Sequence, residues 1–227
     1  MTARVGIVVF PGSNCEQDCA RALGGLGADI EMIWHADKEL RGADVVVLPG
    51  GFAHGDYLRT GALARFSPVM EAVAEHARAG GFVVGICNGF QILCEAGLLP
   101  GAMRKNEGLK FLCKWTELRV DNAGTPFTRR AIEGQRLRIP INHFEGAWYC
   151  DEATLESMQA GGQIVFRYTD NPNGSLDDAA GICNETGNVL DLMPHPERAC
   201  EELLGSNDGA VVLDSLLDSV REHAVKT

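Results

Sequence analysis

No stretch of the sequence approaches the roughly 20 consecutive apolar residues that a membrane-spanning helix needs. The first apolar run, Val5 to Phe10, is cut short by Pro11 and Gly12. It also lacks the length and the basic flank of a signal peptide, so a cytoplasmic protein with no membrane partner is the expectation. Basic residues are scarce: 20 Lys and Arg stand against 31 Asp and Glu, a formal net charge of −11 with the acids scattered along the chain. A phosphate backbone would be repelled, which excludes nucleic acid as an expected partner. The eight cysteines include no Cys-x-x-Cys, and no His pair is comparably spaced. Zinc sites need such ligand pairs, so no metal is expected. A disulfide framework is equally out of place in a long chain without a secretion signal, and the thiols read as reduced and mostly core filler. The sequons at Asn173 and Asn184 carry no weight for the same reason. Repeats and low-complexity linkers are absent, and 227 residues at 45% hydrophobic content suit one domain spanning 1–227.

What the chain does contain is an alternation of strand-like and helix-like blocks. RVGIVVF (4–10), DIEMIW (29–34), DVVVLP (44–49) and FVVGIC (82–87) read as short strands. An Ala/Leu-rich helix from about Cys15 to Leu26 and a second over 63–80, stopped by Gly80 and Gly81, separate them. Ser13 or Asn14 is the expected cap of the first helix. This alternation predicts an open α/β fold, a mostly parallel flavodoxin-like sheet with helices on both faces and functional loops at the C-terminal ends of the strands. Beyond Pro100 the short runs LRVDN, RLRIPI and GAWYC predict an antiparallel extension. QIVFRY, AAGICN and NVLDLMP return the chain toward the main sheet, and residues 209–224 close it as an amphipathic helix.

Within this frame, Gly85-Ile86-Cys87-Asn88-Gly89 has the form of a nucleophile elbow, a sharp strand-to-helix turn on which side chains two residues either side of the nucleophile would collide. Glycines at 85 and 89 remove that collision. Cys87 also falls at the N-terminus of a helix from Asn88, where free N–H groups and the macrodipole favour negative charge. An inert cysteine at a tight turn is the competing reading, so partners decide. Of the six histidines, His195 follows a strand that should open beside Cys87. Glu197 lies two residues on, where an extended chain returns side chains to one side. The pair has the form of a base and its orienter. His-x-Glu also opens a zinc deaminase signature, but the Pro-Cys-x-x-Cys part is missing. The third piece is Pro49-Gly50-Gly51-Phe52 after a strand, whose unobstructed N–H groups suit an oxyanion hole. Gly50-x-x-x-x-Gly55 is not a phosphate loop, because Asp56 and Tyr57 stand where Lys and Ser or Thr are required.

Three such pieces at the ends of separate strands resemble the class I glutamine amidotransferases, in which a Cys-His-Glu triad hydrolyses glutamine. PGSNCEQD (11–18), PGGFAHGDYLRTGALARF (49–66), GICNGFQILCEAGLLPGAM (85–103), NPNGS (171–175) and MPHPERA (193–199) narrow the resemblance to the glutaminase subunits of phosphoribosylformylglycinamidine synthases. It runs over nearly the whole chain. One departure is Asn142-His143-Phe144-Glu145-Gly146, where an Ala-His-Gly-Glu-Gly pattern is expected. The resemblance implies Cys87, His195 and Glu197 as triad, with oxyanion donors at Gly51 or Phe52 and at Asn88. Gly50 and Gln91 become candidate substrate contacts. It further implies glutamine as substrate and no cofactor in this subunit. The partners would be a large synthetase subunit, which uses ATP and Mg, and a small accessory subunit. Asp56 to Arg59 becomes a candidate docking segment, with Tyr and Arg as anchors. Two rival readings are a glutaminase serving another synthetase and a cysteine-elbow chaperone or hydrolase of similar fold. In the latter a His follows the elbow cysteine, whereas Asn88 does here. A non-catalytic binding module would leave Cys87, His195 and Glu197 unexplained.

Overall fold

The computed structural model describes residues 2–226. Strand β1 (Arg4–Val9), helix α1 (Glu16–Gly25), β2 (Asp29–Trp34), β3 (Val45–Leu48), α2 (Val69–Arg78), β4 (Phe82–Ile86) and α3 (Asn88–Glu95) form the first half. The second half holds β5 (Ala102–Arg104), β6 (Leu112–Val120), β7 (Arg136–His143), β8 (Ala147–Tyr149), α4 (Glu152–Ala160), β9 (Ile164–Tyr168), β10 (Ala179–Cys183), β11 (Val189–Leu192) and α5 (Gly209–Lys226). The main sheet has nine strands in the order β2-β1-β3-β4-β11-β10-β9-β6-β7. Its first five run parallel and the rest antiparallel. Strand order reverses between β1 and β3, so right-handed crossovers put α1 and α2 on opposite faces. Every residue of β3 is buried, which is what a strand covered on both faces requires. No helix among the described residues is long and apolar enough to cross a membrane.

Three local expectations give way to longer-range forces. The helix expected over 63–80 is two pieces, a 3₁₀ turn at Ala64–Phe66 and then α2, because Pro68 drives Ser67 into extended backbone at φ −64° and ψ 141°. Neither Ser13 nor Asn14 caps α1, whose first turn has no side-chain cap. Ser13 Oγ instead accepts from Phe10 N–H, and the Asn14 and Cys15 N–H groups both donate to Gly50 O at 3.3 and 3.2 Å. GAWYC leaves the main sheet: β8 pairs with β5 in a separate two-stranded ribbon. Helix α4 carries a start signal that the periodic pattern hid, since Asp151 accepts from Thr154 N–H at 2.9 Å.

One polar side chain interrupts the apolar centre. Asp191 on β11 is wholly buried, and neither carboxyl oxygen makes a hydrogen bond of good geometry. Burial pushes its pKa well above the ordinary carboxylate range. Above that range the unfolded chain has lost this proton while the fold still holds it, so stability falls as pH rises until the folded value is passed. Asp191→Asn removes this liability. In urea titrations from about pH 5 to 8, wild type should lose ground to the variant by up to about 1.4 kcal/mol per pH unit. A constant difference between the two would mean that Asp191 is ionised in the fold.

Candidate active site

The elbow is built by β4, Cys87 and α3. Cys87 has φ 52° and ψ −98°, a left-handed conformation that costs a non-glycine residue about 1–3 kcal/mol and persists only when surroundings enforce it. They do so here. A Cβ at Gly85 would lie 1.7 Å from Asp191 Oδ1 and 2.8 Å from Gly89 C, and one at Gly89 would lie 2.0 Å from Leu48 O. The Cys87 N–H is held by Leu192 O of β11 at 2.9 Å. Its side chain is 5% exposed, with Sγ 3.5 Å from Asn142 O.

Leu192 of β11 is in register with Ile86 of β4, so the segment after β11 emerges beside the elbow. There His195, 1% exposed, donates its backbone N–H to Pro140 O at 2.8 Å. Its ring Nδ1 meets Glu197 Oε1 at 2.7 Å. The extended chain expected between them is a 3₁₀ turn at Pro196–Arg198, entered through the restricted φ of Pro196. Because the buried carboxylate only accepts, Nδ1 carries the proton and Nε2 is left to act. Nε2 has no hydrogen-bond partner among the described residues. Burial alone would lower the pKa of His195, but the Glu197 carboxylate, with Cys87 and Cys15 beside the ring, raises it well above the ordinary value.

Gly50 is where these groups converge. A Cβ there would lie 2.8 Å from His195 Cε1, 3.0 Å from Cys15 Sγ and 3.5 Å from Cys87 Cβ. Gly50 is therefore a packing position under the candidate base, and the residue expected from sequence as a substrate contact does not line the cavity over Cys87. Gly50→Ala should push the imidazole aside and lower kcat/KM for the reaction at this site by about 10²-fold with the fold retained. Unchanged turnover in a folded variant would show that the ring's position is not critical. Cys15, His195 and Glu197 also present ligand-type atoms within 4.8 Å of one another. Arg198 Nη2 donates to Cys15 Sγ at 3.1 Å, so a cation already faces the thiol that a metal would need.

The loop after β3 corrects a second expectation. Phe52 N–H is committed to Gly12 O at 2.8 Å and is not free for an oxyanion. Gly51, at φ 150° and bridged to Ser13, donates to nothing among the described residues. Asn88 opens α3, where an N–H has no carbonyl a turn behind it. Gly51 and Asn88 are thus the available pair.

A cavity of about 230 Å³ opens over Cys87 and Gly51, with Asp56, Gln91, His143 and Glu145 among its walls. Gln91 lines it with its amide already engaged, Oε1 by Asn88 Nδ2 at 2.7 Å and Nε2 by Glu145 O at 2.6 Å. Asn88 Oδ1 in turn accepts from Ala53 N–H at 2.9 Å, tying the elbow to the glycine loop. Of the candidate docking segment, Tyr57 and Leu58 are exposed and Arg59 pairs with Glu95 at 2.6 Å. Asp56 turns inward to the cavity. Sequence reasoning gave no role to Cys15 or His143. The departure from pattern at 142–146 was the one signal that pointed to the cavity's far wall.

A sequence profile of the CobB/CobQ-like glutamine amidotransferase domain matches residues 2–209. The phosphoribosylformylglycinamidine synthase subunit PurQ of Moorella thermoacetica is 56% identical over 225 residues, 95% of each chain. That of Salinibacter ruber is 54% identical over 230 residues, 97% of this chain and 98% of the relative. In the structure of PurLQS from Thermotoga maritima, one chain superposes with a TM-score of 0.89 at 44% identity, covering 96% of this chain and 99% of that one. A glutamine amidotransferase from the same organism, 17% identical with a TM-score of 0.61 over 100% of both chains, shares the fold.

Proposed function

This chain belongs to the CobB/CobQ-like glutamine amidotransferase family and, within it, to the PurQ subunits of phosphoribosylformylglycinamidine synthase, and on that premise we propose that Cys87, His195 and Glu197 perform its glutaminase reaction. The observation that carries the assignment is the buried His195 ring, fixed at Nδ1 by Glu197, unpartnered at Nε2, and packed with Cys87 around the bare Gly50.

The Cys87 thiolate attacks the side-chain carbonyl carbon of glutamine, and the oxygen takes up negative charge between the N–H groups of Gly51 and Asn88. His195 Nε2–H gives its proton to the departing nitrogen as the C–N bond breaks, releasing ammonia and leaving a γ-glutamyl thioester on Cys87. The neutral ring then takes a proton from water, hydroxide attacks the thioester, and glutamate leaves with the thiolate restored. Glu197 holds the tautomer and stabilises the imidazolium, which is the proton donor to departing ammonia and forms again when water is deprotonated. These steps need no metal or organic cofactor in this subunit, which acts as a single amidotransferase domain over 1–227 in the cytoplasm. Ammonia is a nucleophile only while unprotonated, so it passes directly to a large ATP-dependent synthetase subunit. That subunit, assisted by a small one, converts formylglycinamide ribonucleotide to formylglycinamidine ribonucleotide in purine biosynthesis.

The test is synthesis of that product by the reconstituted complex with ATP, comparing glutamine with ammonium salts for wild type and Cys87→Ala. Loss of the glutamine-driven reaction in the variant, with ammonium rescue, is the expected result. Glutamate without the ribonucleotide product would reject the acceptor, and full glutamine-driven activity in Cys87→Ala would reject the nucleophile.

A further inference from the structure

Two carboxylates, Asp56 and Glu145, wall the same cavity as Cys87. Neither forms an ion pair among the described residues. Thr60 Oγ1 donates to Glu145 Oε2 at 3.2 Å, and Asn88 Nδ2 reaches Asp56 Oδ1 only at 3.4 Å. Arg59, in the same loop as Asp56, is turned away onto Glu95 at 2.6 Å. Two acids brought together in a partly dry cavity without a cation repel one another, and a bound cation would reverse that.

His143 adds an unmet acceptor to the wall of the same cavity. Asn106 Nδ2 donates to Lys110 O at 2.9 Å and His143 O at 3.0 Å, while its Oδ1 accepts from Gly146 N–H at 3.1 Å. That fixes Oδ1 as the acceptor facing His143 Nδ1 at 3.0 Å, so Nδ1 holds the proton and Nε2 is a bare acceptor. The ring is 3% exposed, and Nε2 is buried without a partner. Burial, with the His195 charge nearby, drops its pKa to about 3, so the ring stays neutral and the acceptor persists. No described residue donates to it, and the ring belongs to the wall of the cavity.

We propose that Asp56 and Glu145 bind the α-ammonium group of glutamine and are the specificity determinant that separates α-amino acid amides from other carboxamides. The inference rests on the glutaminase reading of the site. From the carboxamide carbon to the α-nitrogen of glutamine is four bonds, roughly 5 Å when extended, a span that fits between walls of one small cavity. Asp56 also links this end of the substrate to the other. Its partner Asn88 is the residue whose backbone N–H faces the developing oxyanion, so a fully ionised Asp56 strengthens the hold on that donor.

A consequence for pH follows. The titratable groups around Asp56 are Glu145, Cys87 and the neutral His143. Burial first, and then the charge of Glu145, raise Asp56 to about 6. An ammonium group must ionise it, so below about pH 6 glutamine binding releases a proton and KM for glutamine climbs as pH falls.

The test compares glutamine with 4-carbamoylbutanoate, which has the same carboxamide and no amino group, in the assembled complex. Wild type is expected to favour glutamine by about 10²-fold or more in kcat/KM, with the KM rise at low pH confined to glutamine. Asp56→Asn should raise KM for glutamine by about tenfold or more, change kcat far less, and erase most of the preference; Glu145→Gln should do the same more weakly. Equal use of both amides by wild type would overturn the inference with no variant needed, as would a preference that survives both substitutions. Absence of cleavage of either amide by wild type would instead remove the glutaminase reading itself.

Discussion

Glu197→Gln is expected to lower glutamine-dependent turnover by about 10²- to 10⁴-fold while leaving ammonium-dependent synthesis intact. The substitution keeps size and shape but removes the buried charge that lies 2.7 Å from His195 Nδ1. Burial works against the imidazolium, and with the carboxylate gone its principal opponent is lost. The pKa of His195 must then fall, so the proton needed by departing ammonia is lost at lower pH than in wild type. The basic limb of the pH–rate profile should move toward acid. A rate within about threefold of wild type, on an unshifted profile, would mean that Glu197 neither orients nor charges the ring.

The second large effect is on stability. Gly89→Ala places a Cβ 2.0 Å from Leu48 O and 2.9 Å from Leu48 C. Leu48 cannot yield, because β3 is paired on both sides, with β1 and with β4, and its side chain is fully buried. The expected loss exceeds about 4 kcal/mol, enough to prevent folding in a marginally stable domain. Gly25→Ala is the matched control: it lies in α1 with nothing within 4 Å of the added methyl and should be neutral or slightly stabilising. Thermal melts of the two variants decide the matter. A Gly89→Ala protein that melts within about 2 °C of wild type would show that the elbow has room.

What could be read from sequence and what could not divide along the range of the forces involved. Strands β1, β3, β4 and β11 were legible because each is an apolar run ended by a turn residue. The elbow was legible because the collision that two glycines avoid is local. His195 could be paired with Cys87 because both follow such strands. Longer-range contacts left no local trace. Phe52 looked as free as Gly51 until the Pro11–Cys15 loop docked across it and took its N–H. Gly50 looked like a substrate contact because nothing near it in sequence shows that His195 fills the space above it. The far wall of the cavity comes from the end of β7, and only the tertiary fold turns Asp56 toward it. The break at Pro68 fell inside a stretch whose apolar periodicity on either side reads as one helix.

The pairing of β4 with β11 also bears on when the protein becomes competent as it is made. These neighbours in the sheet lie about a hundred residues apart in sequence, with the antiparallel strands β6 to β10 emerging from the ribosome between them. Closing so long a loop carries an entropic penalty that local contacts do not share, and such pairings form late. A nascent chain ending before β11 holds a cysteine without the His195 imidazole and an elbow whose Cys87 N–H still lacks Leu192 O. Its strained turn has then lost one of the contacts that enforce it. With His195 as the proposed base, ammonia chemistry is thereby withheld until the last fifth of the polypeptide is in place, and a truncated product is born without it.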